Sequence, residues 1–240
     1  MDEAYDAVII GAGPAGSSAA ILLARAGWRV ALVDKHAFPR NKVCGGCIAA
    51  SNLPLLNGLG VAAELAMVAG PPIKEVALAC GERLIRAPMP RFTGPGSPWG
   101  VALGRDQLDA LLAAQARIAG AEVFQPWAAK DTDGVPGAYR CRIRATGTQE
   151  ERVLVAPVLI DAHGSWEALA TRGQRRSVPH RASDLFAFMA QFPGTGLEAG
   201  LLPVLSFPGG YGGMVVAGQG ATTLAFCLRR DVLAQARTLH

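Results

Sequence analysis

Two groups of residues in this 240-residue chain have the types and spacing that chemistry on a nucleotide or a flat ring requires. The first is Gly11-Ala12-Gly13-Pro14-Ala15-Gly16, a G-x-G-x-x-G run, with Asp34 about twenty residues further on. In such a run Gly11 makes a tight turn, Gly13 lets backbone approach a pyrophosphate, and Gly16 lets a helix pack closely on a strand. The helix N-terminus offers free N–H groups and a partial positive charge to the pyrophosphate. A carboxylate at Asp34 would accept both ribose hydroxyls and repel a 2′-phosphate. The second group is Cys44-Gly45-Gly46-Cys47, whose glycines let backbone pass close to a flat ring, with Arg40 and Lys42 near enough in sequence to stabilise negative charge on it.

The elements that must position these residues are legible around them. Tyr5–Ile10 ends in Val8-Ile9-Ile10, apolar enough for a parallel strand buried on both faces. A helix is expected from about Pro14 to Ala26, with Pro14 tolerated in its first turn and Gly27 closing it. A second strand, Arg29–Val33, then delivers Asp34. Strand, glycine loop, helix and acidic residue in this order point to a dinucleotide site rather than an ordinary glycine-rich turn.

Half of the residues are apolar, so a sizeable core is available, and the chain is neither disordered nor fibrous. The formal charge of +4 arises from nineteen arginines and four lysines. Apart from the Arg172, Arg175, Arg176 and Arg181 cluster they are spread along the chain; that cluster reads as a solvated loop in preference to a site for a phosphate or another acidic group, and no nucleic-acid motif accompanies it. The acidic start, Met1-Asp2-Glu3-Ala4-Tyr5-Asp6, lacks the basic region of a signal peptide, which points to a cytoplasmic protein. Ala199–Leu228 is uncharged and long enough to span a bilayer, but two prolines and seven glycines make it strands and turns. The five cysteines are odd in number and mostly scattered, as free thiols would be. For Cys44 and Cys47 a zinc site would want further ligands that the sequence does not supply, and a thioredoxin-like pair would want a strand leading into a helix. Alternatively, the glycines shape the loop and the thiols are bystanders. No metal site is expected.

Gly11–Gly16 with Gly27-x-x-Val30-x-x-x-Asp34 resembles the N-terminal signature of FAD oxidoreductases related to para-hydroxybenzoate hydroxylase. Phe38-Pro39-Arg40-Asn41-Lys42-Val43-Cys44-Gly45-Gly46 and Phe207-Pro208-Gly209-Gly210-Tyr211-Gly212 are similar to segments of the geranylgeranyl reductase branch. Leu103-Gly104-Arg105-Asp106-Gln107-Leu108 resembles the family's strand-to-helix step, whose arginine reaches the flavin nucleotide; Leu108, Leu111, Leu112 and Ile118 give that helix an apolar face. Val158–Ser165 stands in place of a second nucleotide motif usually centred on Ala-Asp-Gly. Here His163 replaces the aspartate, so Ala162 and Gly164 carry over as loop backbone and His163 does not carry over as a base.

The resemblance implies FAD as cofactor and an α/β fold: a Rossmann-like FAD-binding domain with a parallel sheet, interleaved with a mainly antiparallel substrate-domain sheet. Strand-like Ile73–Cys80 and Arg83–Ala87 interrupt the nucleotide motifs, which places the FAD domain at 1–70 and 100–177 and the substrate domain at 71–99 and 178–240. Gly11, Gly13, Pro14, Ala15, Gly16, Asp34, Lys35, Arg40, Cys44, Gly45, Arg105, Ala162 and Gly164 are the expected cofactor contacts, with Cys44 the candidate catalytic residue. Phe186, Phe188, Phe192 and Phe207 are available for an apolar pocket, though each taken singly reads better as a core residue. The expected reaction is either hydride delivery to a C=C bond or oxygen insertion through a flavin hydroperoxide, on an apolar or aromatic small molecule, with the electron donor open. The family's late Gly-Asp motif is not found, so a truncated or split chain, completed by a C-terminal segment or second chain and inactive alone, is the alternative. A plain NAD-dependent dehydrogenase would need neither the cysteine loop nor the Arg105 step.

Overall fold

Two runs of four apolar residues, Ala7–Ile10 and Val30–Val33, pair in parallel and are buried along their whole length. Sheet neighbours on both sides and cover on both faces leave no place for polar side chains. The computed structural model describes residues 2–164 and 181–237. It divides into two units, Met1–Arg40 with Leu59–Val61 and Asp106–Ser177, and Asn41–Gly58 with Ala62–Arg105 and Val178–His240.

In the first unit the parallel sheet runs in the order Val158–Asp161, Ala7–Ile10, Val30–Val33, Glu122–Phe124. The Pro14–Arg25 helix connects the first pair and packs on both of its strands. A second sheet, Trp127–Val135, Ala138–Ala145 and Glu151–Ala156, is an antiparallel meander, with Glu3–Ala4 added in parallel to its last strand. Cys141 and Ile143 point inward while the alternating Arg140, Arg142 and Arg144 pair outward with acidic residues. The inward set packs with Leu154, Val8, Ile10, Val33 and Phe124 into one core. Burying Ile143 and Leu154 contributes roughly 1.5–3 kcal/mol each.

The second unit holds a six-stranded sheet in the order Leu185–Pro193, Ala221–Arg229, Gly210–Val216, Leu201–Phe207, Glu75–Cys80, Arg83–Pro88. All pairings are antiparallel except Leu201–Phe207 with Glu75–Cys80. Val215, Ile73, Ala102 and Ala217 make its core, with Met89 and Leu202 against them. Among the described residues no helix is long and apolar enough to cross a membrane.

The mixed α/β architecture agrees with the sequence expectation, and the boundaries differ from it. Asn41–Gly58 and residues 62–70 and 100–105 group with the second unit, alongside the 71–99 segment that the sequence reading placed there. The reason is local pairing: Cys47–Ile48 forms a two-stranded ladder with Val101–Ala102, and Leu103 N–H donates to the Gly46 carbonyl at 2.7 Å. Ile118, expected on the apolar face of its helix, is 77 % exposed; the buried face is Leu108, Asp109, Leu112, Ala113 and Ala116.

Candidate nucleotide and substrate sites

The glycine loop of the first unit is built by close backbone approach. Gly11 has φ +102°, and a Cβ there would lie 2.4 Å from the Ala162 carbonyl oxygen. A Cβ on Gly16 would lie 1.9 Å from the Gly11 carbonyl oxygen and 3.2 Å from the Ala162 Cβ. The two motifs, about 150 residues apart, therefore share one spot, held also by Ala162 N–H donating to Ile10 O at 2.8 Å. Gly164, at φ +98°, follows. Gly13 is the N-cap of the helix, Pro14 occupies the first turn, and no side chain caps the helix or places an acid there. The N–H groups of Ala15 and Gly16 thus face outward from a helix terminus open to an anion.

Asp34 ends the Val30–Val33 strand and is 6 % exposed. Its Oδ2 accepts the Ala12 N–H at 2.9 Å, and its Oδ1 accepts the His36 N–H at 2.9 Å. Arg40 Nη2 stands 3.5 Å from Asp34 Oδ2 and 3.4 Å from Oδ2 of Asp109, which is fully buried. Asp109 escaped the sequence reading. A helix acid is usually solvated, and the available signal was its place on the face of Leu108, Leu112 and Ala113.

Lys35 is exposed and lines a cavity of about 570 Å³ with His36, Lys130, Arg144, Thr146 and Thr148. His163 is paired with Asp161 through its Nδ1. Ser165, Arg172, Arg175 and Arg176 lie outside the described residues. Arg105 opens the Arg105–Ile118 helix as expected.

The structure brings Gly11, Gly13, Gly16, Asp34, Arg40, Ala162 and Gly164 together in the first unit; Cys44, Gly45 and Arg105 belong to the second. There the half-buried Cys44 precedes Gly45, around which a Cβ would meet nothing within 4 Å. Cys47 has much of its surface exposed, yet protein atoms around the thiol push its pKa up to about 11, and neighbouring Cys44 adds to the rise. At neutral pH it is a protonated thiol rather than a nucleophile. Beside it is a cavity of about 450 Å³, lined by Ile73, Met89, Phe92 and Leu202 with Cys47 and Arg91. A second apolar cavity, of about 480 Å³, lies between Leu53, Leu56, Leu65, Ala66 and Pro95. Of the phenylalanines available for a pocket or the core, Phe188 stacks on Phe226 at 5.3 Å, and Phe186 and Phe192 are 40 % and 44 % exposed.

A family model described as FAD binding domain matches residues 4–193. The chain belongs to this family. FAD is its cofactor, and the uncapped helix terminus and glycine contacts fit the ADP half of that molecule. Among curated proteins it is 28 % identical over 181 residues to digeranylgeranylglycerophospholipid reductase of Picrophilus torridus, covering 70 % of this chain and 43 % of that one. It is 44 % identical over 66 residues to menaquinone reductase of Mycobacterium tuberculosis, 28 % of this chain and 16 % of that one. Among solved structures, the myxobacterial chondrochloren halogenase shares the fold with a TM-score of 0.81 at 20 % identity, over 97 % of this chain and 55 % of the halogenase. A geranylgeranyl bacteriochlorophyll reductase-like protein of Thermoplasma acidophilum gives 0.75 at 22 %, over 97 % and 58 %. The chain thus spans little more than half the length of these solved relatives.

Proposed function

We propose that the chain supplies the cofactor-binding and substrate-facing parts of an FAD-dependent oxidoreductase that reduces a carbon–carbon double bond in a large apolar molecule. The observation that carries the reading is the cavity beside Cys47. Its lining is apolar apart from Cys47, Ser51 and Arg91, and among the described residues it contains no carboxylate or imidazole. A substrate cavity without its own acid–base pair suits a reaction whose chemistry the cofactor carries. The reductases among the relatives, named for menaquinone and for a digeranylgeranyl lipid, agree with an apolar substrate.

In this reading the helix terminus at Gly13, Pro14, Ala15 and Gly16 takes the pyrophosphate, with Gly11, Ala162 and Gly164 shaping its floor. Asp34 accepts the ribose hydroxyls, while Lys35, Arg40 and Arg105 place positive charge along the nucleotide. Gly45 gives the flat ring room, and Cys44 is the proposed catalytic residue beside it. Bound FAD supplies two-electron redox chemistry. Ile73, Met89, Phe92 and Leu202 hold the substrate and exclude water, and the protonated Cys47 thiol adds no competing nucleophile.

Purified protein is expected to show visible flavin absorbance and, once reduced under argon, to be reoxidised by a polyunsaturated apolar alkene without oxygen. Reoxidation only with oxygen, giving a hydroxylated product, would replace this reading by oxygen insertion, in line with the fold shared with p-nitrophenol 4-monooxygenase of Pseudomonas putida. A protein that keeps FAD but turns over neither way would be a binding portion alone.

A further inference from the structure

Arg40 sits between two buried carboxylates with one nitrogen serving both. Its Nη2 is 3.5 Å from Asp34 and 3.4 Å from Asp109, distances well beyond the 2.7–2.9 Å of a tight charge-assisted pair. Its Nε is buried and has no partner among the described residues, and the Phe38 ring lies 5.0 Å from the guanidinium. The guanidinium is therefore shared, and the pull of Asp109 sets how far it leans on Asp34. Asp109 is anchored on the rigid Arg105–Ile118 helix, whereas Arg40 follows an irregular stretch after the Val30–Val33 strand.

We propose that Asp109 is a positioning and specificity residue for the nucleotide ribose. It touches no ligand itself. By holding Arg40 back it keeps the lone pairs and negative character of Asp34 available to the two ribose hydroxyls, and it makes the site hostile to a phosphate on the ribose. Without the Asp109 charge, Arg40 closes on Asp34 as a full ion pair and the site becomes one unit more positive. Hydroxyl recognition then weakens while a 2′-phosphate is better tolerated. The inference rests on the assignment of Asp34 to the ribose.

The test is calorimetric titration of the full chain with ADP and with the 2′-phosphate ester of ADP, in wild type, Asp109→Asn and the double variant Arg40→Gln with Asp109→Asn, with thermal melts alongside. Asp109→Asn is expected to weaken ADP by about tenfold and to narrow the preference for ADP over its ester by about tenfold, as expected for a close charge contact. A merely structural role would weaken both ligands equally and leave the ratio unchanged; that result overturns the proposal. The double variant removes one positive and one negative charge, so the net charge of the site is that of wild type, and it remains informative if Asp109→Asn does not fold. It is expected to keep the wild-type ratio with weaker ADP binding, and wild-type ADP affinity in it would also overturn the proposal. Wild type that binds neither ligand would instead remove the ribose assignment beneath it.

Discussion

Gly16→Ala is the sharpest perturbation of the cofactor cradle, because the added methyl has a measurable place to go. It would lie 1.9 Å from the Gly11 carbonyl oxygen, where contacts under 3.0 Å are essentially never seen, so the helix must withdraw by about 1 Å. Overpacking of this kind costs roughly 1–3 kcal/mol, and replacing a helical glycine by alanine returns about 1 kcal/mol. Stability should therefore fall by no more than about 2 kcal/mol. Binding suffers more. The withdrawn N-terminal N–H groups lose one or two hydrogen bonds to a charged pyrophosphate, roughly 1.5–3 kcal/mol each, which weakens FAD by at least about tenfold and up to about 20,000-fold. Gly27→Ala is the control: φ is +85° and the space is open, so it should cost about 1–2 kcal/mol of stability and leave FAD affinity alone. The assay is fluorescence titration with FAD beside a thermal melt of each variant. A Gly16→Ala protein that binds FAD within about twofold of wild type would refute the placement of the pyrophosphate.

Asp34→Ala should weaken FAD by roughly 1–3 kcal/mol through the unpaired hydroxyls, and equal dissociation constants by titration would remove it from the site. Leu154→Ala, fully buried between the two sheets of the first unit, should lower stability by about 2–5 kcal/mol in a denaturant melt. Burial pushes the Cys141 thiol up to about 12 and Cys47 up to about 11. Folded pKa values above the unfolded one mean that this stability is fully present below about pH 8.5 and is lost as pH rises toward those values. Melting temperature should accordingly decline from about pH 9 upward, and Cys141→Ala should flatten the decline. A slope unchanged by that substitution would contradict the assignment.

The nucleotide loop was legible because the order of its parts is local, although the Ala162 backbone against which Gly11 turns is not. Gly11, Gly16 and Asp34 are fixed by one turn, one helix and one strand, and the chain spells these in order. The Trp127–Ala156 meander was not read. Its buried Cys141 and Ile143 alternate with Arg140, Arg142 and Arg144, a pattern shared by any half-exposed strand, and its pairing with Glu3–Ala4 crosses the whole unit. The cysteine loop is held by hydrogen bonds to Val101–Leu103, about 55 residues away, and no local pattern announces that pairing. Asp109 was missed because burial of a carboxylate depends on a cation from another segment, Arg40, which no periodicity announces.

The edge strand Val158–Asp161 carries a consequence for biosynthesis. Ala7–Ile10 is synthesised well before its parallel neighbour on one side and the Ala162 backbone against which Gly11 turns, which come about 150 residues later. At 5–20 residues per second the nascent chain waits roughly 8–30 s with that hydrogen-bonding edge open. During that interval Ala7–Ile10 can pair with Val30–Val33 on one side only, and its other edge stays unpaired. Vectorial synthesis therefore makes cofactor capture a late event, and a holdase or a slow approach to Asp161 would govern how much chain reaches the flavin-competent state.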